Sequence, residues 1–162
     1  TYGSANNVGL PGPGMDRTSR VGLELSLDAR ADLASGQVDA RVVSALGIQA
    51  ERFAIEVSVI RSGHSQCVGG GSFDTQPGCS VSEHWNWRAV DITAVGGQPV
   101  TPSNGSAAAL AQFLMSMPAP IRPDELGVPW AALSAVRGVF SDADHQTHIH
   151  LGWRQSAPAR SG

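Results

Sequence analysis

The sequence lacks the features that mark several common classes of protein. Its formal net charge is −3 over 162 residues, so it has no basic footprint of the kind that binds nucleic acid. No run approaches the roughly 18 apolar residues that a membrane span needs. The two cysteines form no Cys-x2–4-Cys pair, which excludes a zinc finger. The length fits one domain with a sizeable core, which we expect to be monomeric.

Large apolar residues are also scarce at both ends of the chain. Residues 1–20 are rich in glycine, proline, asparagine and serine. Such a stretch cannot bury enough surface to offset the entropy of ordering it. We therefore expect a flexible arm or linker at 1–20, a folded domain at 21–155 and a flexible tail at 156–162.

Between these ends, the spacing of apolar residues predicts secondary structure. Strict alternation predicts strands over residues 23–27 and 53–59. Helical spacing predicts helices over 38–46, stopped by Gly47, and over 107–114, capped by Ser103 or Ser106. Short strands mixed with two principal helices predict an α+β fold with a mainly antiparallel sheet and flanking helices.

The two cysteines enclose a glycine-rich loop. Cys67 and Cys79 stand twelve positions apart, and a pair in so short a loop predicts a disulfide and an oxidising compartment. The alternative is two free thiols in a cytosolic protein. The loop runs directly into a histidine motif, so a bridge here would also help to fix that motif.

Two short polar stretches carry groups suited to chemistry. His84 and Asp91 stand seven positions apart, where a polar loop becomes an apolar run. Near the C-terminus, His148 and His150 alternate with apolar residues, so they share one face of a further short strand. Imidazole nitrogens and a carboxylate oxygen suit Zn²⁺. Three protein ligands would leave one coordination position open for water, as in a catalytic zinc site.

The spacing Ser-x-His-x6-Asp followed by His-x-His resembles the zinc peptidases of the D-alanyl-D-alanine carboxypeptidase group. These enzymes share a fold with lysostaphin-type relatives, penicillin-insensitive murein endopeptidases and the hedgehog signalling domain. The longer context, over residues 53–153, looks like peptidase-like domains of actinobacteria and their phages. The matching positions are Ser82, His84, Ala89, Asp91, His148 and His150.

This resemblance implies a hedgehog-type zinc fold in which His84, Asp91 and His150 hold the ion. It also implies a peptidase that cleaves peptidoglycan peptides through a metal-activated water. Such an enzyme would be secreted by a bacterium, associated with its cell wall, or carried by a phage. The alternative is a weak or inactive zinc-binding module that holds a peptide or protein partner.

The resemblance also suggests roles for the residues around the ion. Arg61 would bind a substrate carboxylate or the developing oxyanion, or else form a surface salt bridge. His64 would contact substrate or pack in its loop, Ser82 would support the histidine loop beside the substrate, and Trp85 would line the cleft. His148 would hydrogen-bond the substrate or the transition state, or else orient a ligand.

One group that the resemblance requires is missing. The similar peptidases commonly carry an Asp or Glu three residues before the last metal-binding histidine, and that position is Thr147 here. A threonine hydroxyl can orient water but cannot accept its proton at neutral pH. We expect Asp144 to serve as the general base with help from His148, or Asp142 to substitute for it.

Overall fold

A computed structural model describes residues 21–156 of the chain. The predicted arm at 1–20 and the predicted tail at 156–162 lie outside the described residues, apart from Ser156.

A seven-stranded mixed sheet organises the fold. Its strands are β1 (Gly22–Leu25), β2 (Ala54–Val59), β3 (Ala89–Val95), β4 (Gln98–Pro99), β5 (Glu125–Gly127), β6 (Val139–Phe140) and β7 (Ile149–Gly152). The spatial order is β1-β2-β3-β7-β5-β6, and β4 pairs with β3. The β1/β2 and β5/β6 pairs are parallel, whereas β3 is antiparallel to β2, β4 and β7, and β5 is antiparallel to β7.

Three α-helices accompany the sheet: α1 (Leu27–Ala34), α2 (Ala40–Ala50) and α3 (Gly105–Ser116). A 3₁₀ helix spans Ala131–Ala135. Each α-helix begins at a side chain that accepts a backbone N–H of the first turn, which satisfies a donor that the helix itself leaves unpaired. These caps are Ser26, Asp39 and Asn104. The α+β class is therefore confirmed, but the sheet is mixed, so the mainly antiparallel sheet and the hedgehog-type assignment are not confirmed.

The sequence patterns were wrong in four places. Helix α1 was missed, because it buries only Ala29 and Asp32 and so has no apolar periodicity to detect, and the strand predicted over 23–27 ends at Leu25, since Leu27 begins this helix. Helix α2 continues through Gly47 instead of stopping there. The cap of α3 is Asn104 rather than a serine. Strand β5 lies within a proline-punctuated stretch that reads as loop.

One hydrophobic cluster joins the sheet to the helices and fixes which way the strands face. Val90 and Ile92 of β3 and Ile149 and Leu151 of β7 are fully buried in this cluster. Since successive side chains of a strand point to opposite faces, the residues between them, Asp91 and His150, face away from this packing. The core thereby directs these two polar side chains to a common place.

The long connection from β2 to β3 is held by the Cys67–Cys79 disulfide, which confirms that prediction. Cys67 also forms an isolated antiparallel bridge with Val81, and Ser82 N–H donates to the Gln66 carbonyl at 2.9 Å. These contacts hold the chain immediately before His84. Within residues 21–156, no helix combines the length and the apolar character that crossing a bilayer demands.

Replacing Gly47 with alanine should stabilise the protein. Gly47 lies inside α2 with nothing within 4 Å of an added Cβ, so Gly47→Ala should raise the free energy of unfolding by about 0.5–1 kcal/mol. Gly138→Ala is the opposite control, because Gly138 has φ +84° and its Cβ would lie 2.5 Å from the Asp124 carbonyl oxygen. Urea unfolding of both variants checks this, and a loss of stability in Gly47→Ala would contradict the helix interior described here.

Candidate metal centre

Strands β3 and β7 set two of the converging side chains side by side. Asp91 and His150 are direct partners across this antiparallel pair, and such partners place their Cβ atoms about 4.5–5.5 Å apart on one face. On the other side of His150, its partner in β5 is Gly127. The two side chains are therefore placed by the sheet itself rather than by a loop.

His84 reaches the same place from the loop before β3. Its ring is fully buried, and its Nδ1 lies 2.6 Å from the Ile60 carbonyl oxygen. A carbonyl can only accept, so Nδ1 carries the proton and donates, which leaves the lone pair on Nε2. The backbone N–H of His84 donates to Ser82 Oγ at 3.2 Å. Ser82, which is itself buried, thus supports the loop, and its predicted contact with substrate stays a prediction.

Three donor atoms form a nearly equilateral triangle. His84 Nε2 lies 3.2 Å from Asp91 Oδ1 and 3.1 Å from His150 Nδ1, and His150 Nδ1 lies 3.1 Å from Asp91 Oδ1. His84 Nε2 and Asp91 Oδ1 both offer lone pairs, so a hydrogen from neutral His150 can satisfy only part of the triangle. Two buried lone pairs facing each other are costly unless a cation lies between them.

The triangle has the right size for a metal ion. Donors arranged tetrahedrally at about 2.0–2.1 Å from one ion lie roughly 3.3 Å from one another, which is close to the separations found here. All three residues are buried, so water does not compete for these lone pairs as it would at the surface. This buried His/His/Asp group could hold a metal ion.

His64 offers a competing third donor. Ligand atoms of His64, His84 and Asp91 lie within 4.8 Å of one another. However, the His64 ring stacks on the His84 ring with centroids 4.0 Å apart and planes 18° apart. Nearly parallel rings aim their in-plane lone pairs side by side rather than at one point. We therefore place His150, not His64, in the triplet.

The surroundings of the triangle favour an ionised Asp91 and neutral flanking histidines, His64 and His148. Burial raises the pKa of Asp91, but the hydrogen bond from His150 and the neighbouring His84 imidazole outweigh this and hold that pKa well below its usual range. Burial lowers the pKa of His148, whose Nε2 lies 3.7 Å from Asp91 Oδ1, and burial likewise lowers the pKa of His64. Both flanking histidines are therefore uncharged at neutral pH and do not repel a cation.

A buried carboxylate on α1 supports the site from behind, and sequence reasoning missed it. Asp32 accepts the backbone N–H groups of Arg61 and Ser62, each at 2.8 Å, and the Ser62 hydroxyl at 2.6 Å. These bonds fix the chain immediately after Ile60, whose carbonyl orients His84. Asp32 thus acts on the donor triangle indirectly: it holds the Arg61–Ser62 backbone, and the neighbouring Ile60 carbonyl holds His84.

Arg61 does not project freely into the site. Its guanidinium carbon lies 4.0 Å from the Trp85 ring centre and 4.8 Å from that of Trp87, and its Nε donates to the Trp85 carbonyl at 3.2 Å. Trp87 adopts φ +63°, and its carbonyl accepts the N–H of Asp39 at 2.9 Å. To bind an anion as predicted, Arg61 would have to use the edge of its guanidinium group, because its faces lie against the indole rings of Trp85 and Trp87.

The residues around the missing base are arranged differently from the sequence expectation. Asp144 and Thr147 are exposed, and the backbone N–H of Asp144 donates to Asp142 Oδ1 at 3.0 Å. His145 forms a 2.6 Å contact with the same Asp142 oxygen. The sequence interpretation gave His145 no role, although its spacing of three from Asp142 could have suggested a local hydrogen bond.

Removing any one donor of the triangle should abolish stoichiometric metal binding. His84→Ala, Asp91→Ala and His150→Ala each leave two ligands, whereas His64→Ala leaves all three. Isothermal titration with Zn²⁺, with folding checked by circular dichroism, measures this. Retained binding in the three triangle variants together with loss in His64→Ala would contradict the assignment.

Removing the buried carboxylate of α1 should weaken both the fold and the site. Asp32→Ala leaves three donors unpaired and should lower the free energy of unfolding by about 1–3 kcal/mol. Because Ile60 and His84 would be held less firmly, metal affinity should fall by about 10–100-fold, the usual effect of losing an outer support. Asp28→Ala, which removes an exposed carboxylate one turn earlier in α1, is the matched control. Equal metal affinity in Asp32→Ala and Asp28→Ala would refute the link.

Comparison of the chain with protein-family models, with curated proteins and with solved structures finds no match in any of the three.

Proposed function

We propose that this domain is a zinc-dependent peptidase that hydrolyses peptide bonds in peptidoglycan. The observation that carries the proposal is the convergence of His84 Nε2, Asp91 Oδ1 and His150 Nδ1 within 3.1–3.2 Å of one another. Two nitrogens and one oxygen are donors that zinc accepts, and a triplet rather than a quartet is typical of a catalytic site. A zinc ion bound there supplies a Lewis acid and a water nucleophile that is active near pH 7.

Residues of this chain provide the remaining parts of such a site. His148 is neutral and half-buried beside Asp91, so its Nε2 can form a hydrogen bond with a bound peptide. Trp85 is partly exposed over the Arg61 guanidinium and offers a flat surface to a substrate chain. Asp144, the general base expected from the sequence, is exposed, and its role stays a prediction.

The cell-wall substrate and the location rest on the motifs and on the disulfide. Peptidoglycan as substrate comes from the resemblance of the two motifs to zinc peptidases. The disulfide between Cys67 and Cys79 favours an oxidising compartment. An exported domain, from a bacterium or a phage, is consistent with both.

The second candidate is a non-catalytic zinc-binding module that holds a peptide or protein partner. Thr147 favours it, because an exposed hydroxyl stands where the similar peptidases carry a carboxylate. Both candidates bind zinc, so turnover separates them and metal content does not.

Incubation with purified muropeptides, read by mass spectrometry, tests the proposal. The zinc-loaded protein should release a defined fragment, whose mass also identifies the bond. A chelator should abolish the reaction, added zinc should restore it, and Asp91→Ala should be inactive. If the zinc-loaded parent cleaves nothing while Thr147→Asp gains activity, the binding module is the correct description of this chain.

A further inference from the structure

A carboxylate–imidazole pair lies beside the donor triangle. Asp142 Oδ1 accepts three hydrogen bonds, from His145 Nδ1 at 2.6 Å and from the backbone N–H groups of His145 and Asp144 at 3.0 Å each. Two of the three donors are backbone groups of the same turn, so the carboxylate is held in one orientation. The ring of His145 is therefore fixed by its own loop.

This pairing determines which nitrogen of His145 is basic. An ionised carboxylate only accepts hydrogen bonds, so the proton of the neutral ring lies on Nδ1 and the lone pair lies on Nε2. The lone pair on His84 Nε2 belongs to the donor triangle, whereas that of His145 is outside it. His145 is thus available as a proton acceptor.

The ring of His145 is packed at the site rather than left in solvent. Its centroid lies 4.9 Å from that of His148 and 5.6 Å from that of His150, and it meets the Phe140 ring edge-on at 4.7 Å. A Cβ added to Gly127 would come within 2.5 Å of His145 Cδ2. Gly127 therefore provides the space that the imidazole occupies next to the β5–β7 strand pair.

The pair also connects the site with solvent. The His145 side chain is 18% exposed, and that of Asp142 is 49% exposed. Because water still reaches the His145 ring, a proton that the ring takes up inside the site can exchange with solvent. The exposed Asp144 is joined to this turn by the hydrogen bond from its backbone N–H to Asp142 Oδ1.

We infer that His145, oriented by Asp142, is the proton acceptor and donor that the site requires in place of a carboxylate at Thr147. This role rests on the proposed peptidase function. The attacking water forms a bond from its oxygen to the scissile carbonyl carbon and gives one proton to His145 Nε2, directly or through one further water. The carbon–nitrogen bond then breaks, and His145 returns the proton to the leaving amine. One water is consumed, and one carboxylic acid and one amine are formed.

Four variants and two readouts, turnover and zinc content, test this role. His145→Gln should lower kcat on muropeptides by at least about a hundredfold, and Asp142→Asn by at least about tenfold, since a base of this kind usually contributes 10²–10⁴. Zinc content should stay at that of the parent in both, because neither residue is in the triangle. Asp74→Asn, an exposed aspartate of the disulfide loop, should match the parent. Added imidazole should restore part of the turnover of His145→Ala, which a purely structural role does not predict.

A readout independent of turnover comes from the metal-free protein. Nitrogen-15 NMR should show His145 as the Nδ1–H tautomer with a strongly downfield proton, and Asp142→Asn should shift that proton upfield. If His145→Gln does not fold, Asp142→Asn carries the kinetic test, because Asp142 lies on an exposed turn.

The possible failures are distinguishable. Undiminished kcat in His145→Gln, or a loss confined to Asp144→Asn, overturns the role of His145 and leaves the peptidase function standing. Loss of zinc in His145→Gln overturns it as well, because His145 would then be a ligand. A zinc-loaded parent that cleaves no muropeptide contradicts the peptidase function and this role together.

Discussion

The hydrogen bond from His84 Nδ1 to the Ile60 carbonyl is the contact on which the site depends, because it decides where the His84 lone pair points. At 2.6 Å within a fully buried environment, this bond leaves Nε2 unprotonated and facing Asp91 and His150. If the bond were lost, the ring could rotate or change tautomer, and an N–H could then occupy the centre of the triangle. The hydrogen bond from His84 to the Ile60 carbonyl is thus needed for the metal site as well as the three donor atoms themselves.

The hydrophobic core determines the other two donors. Val90, Ile92, Ile149 and Leu151 pack on one face of the sheet, so a slip of one residue between β3 and β7 would bury Asp91 and His150 in the core. The apolar residues therefore fix the register that makes the two polar residues cross-strand partners. The alternation of apolar and polar residues along β3 and β7 thus both stabilises the sheet and sets the geometry of the site.

Sequence patterns predicted the features that depend on local spacing and missed those that depend on contacts far apart in the chain. Alternation placed strand β2 and most of β1, and the short cysteine loop predicted the disulfide. Nothing local could show that Asp32 binds the Arg61–Ser62 backbone 29 and 30 residues away. The packing of His145 against Gly127 also required the β5–β7 pairing. Donor types predicted a metal site, whereas the identity of the metal depends on measurement.

Anomalous diffraction from a crystal of the zinc-loaded protein, collected on both sides of the zinc absorption edge, tests the central claim most directly. The account predicts one strong anomalous peak per chain, bonded to His84 Nε2, Asp91 Oδ1 and His150 Nδ1, with His64 and His145 outside the coordination sphere. A peak bonded to His64 instead of His150 would contradict it, as would a fully occupied zinc elsewhere with this triangle empty.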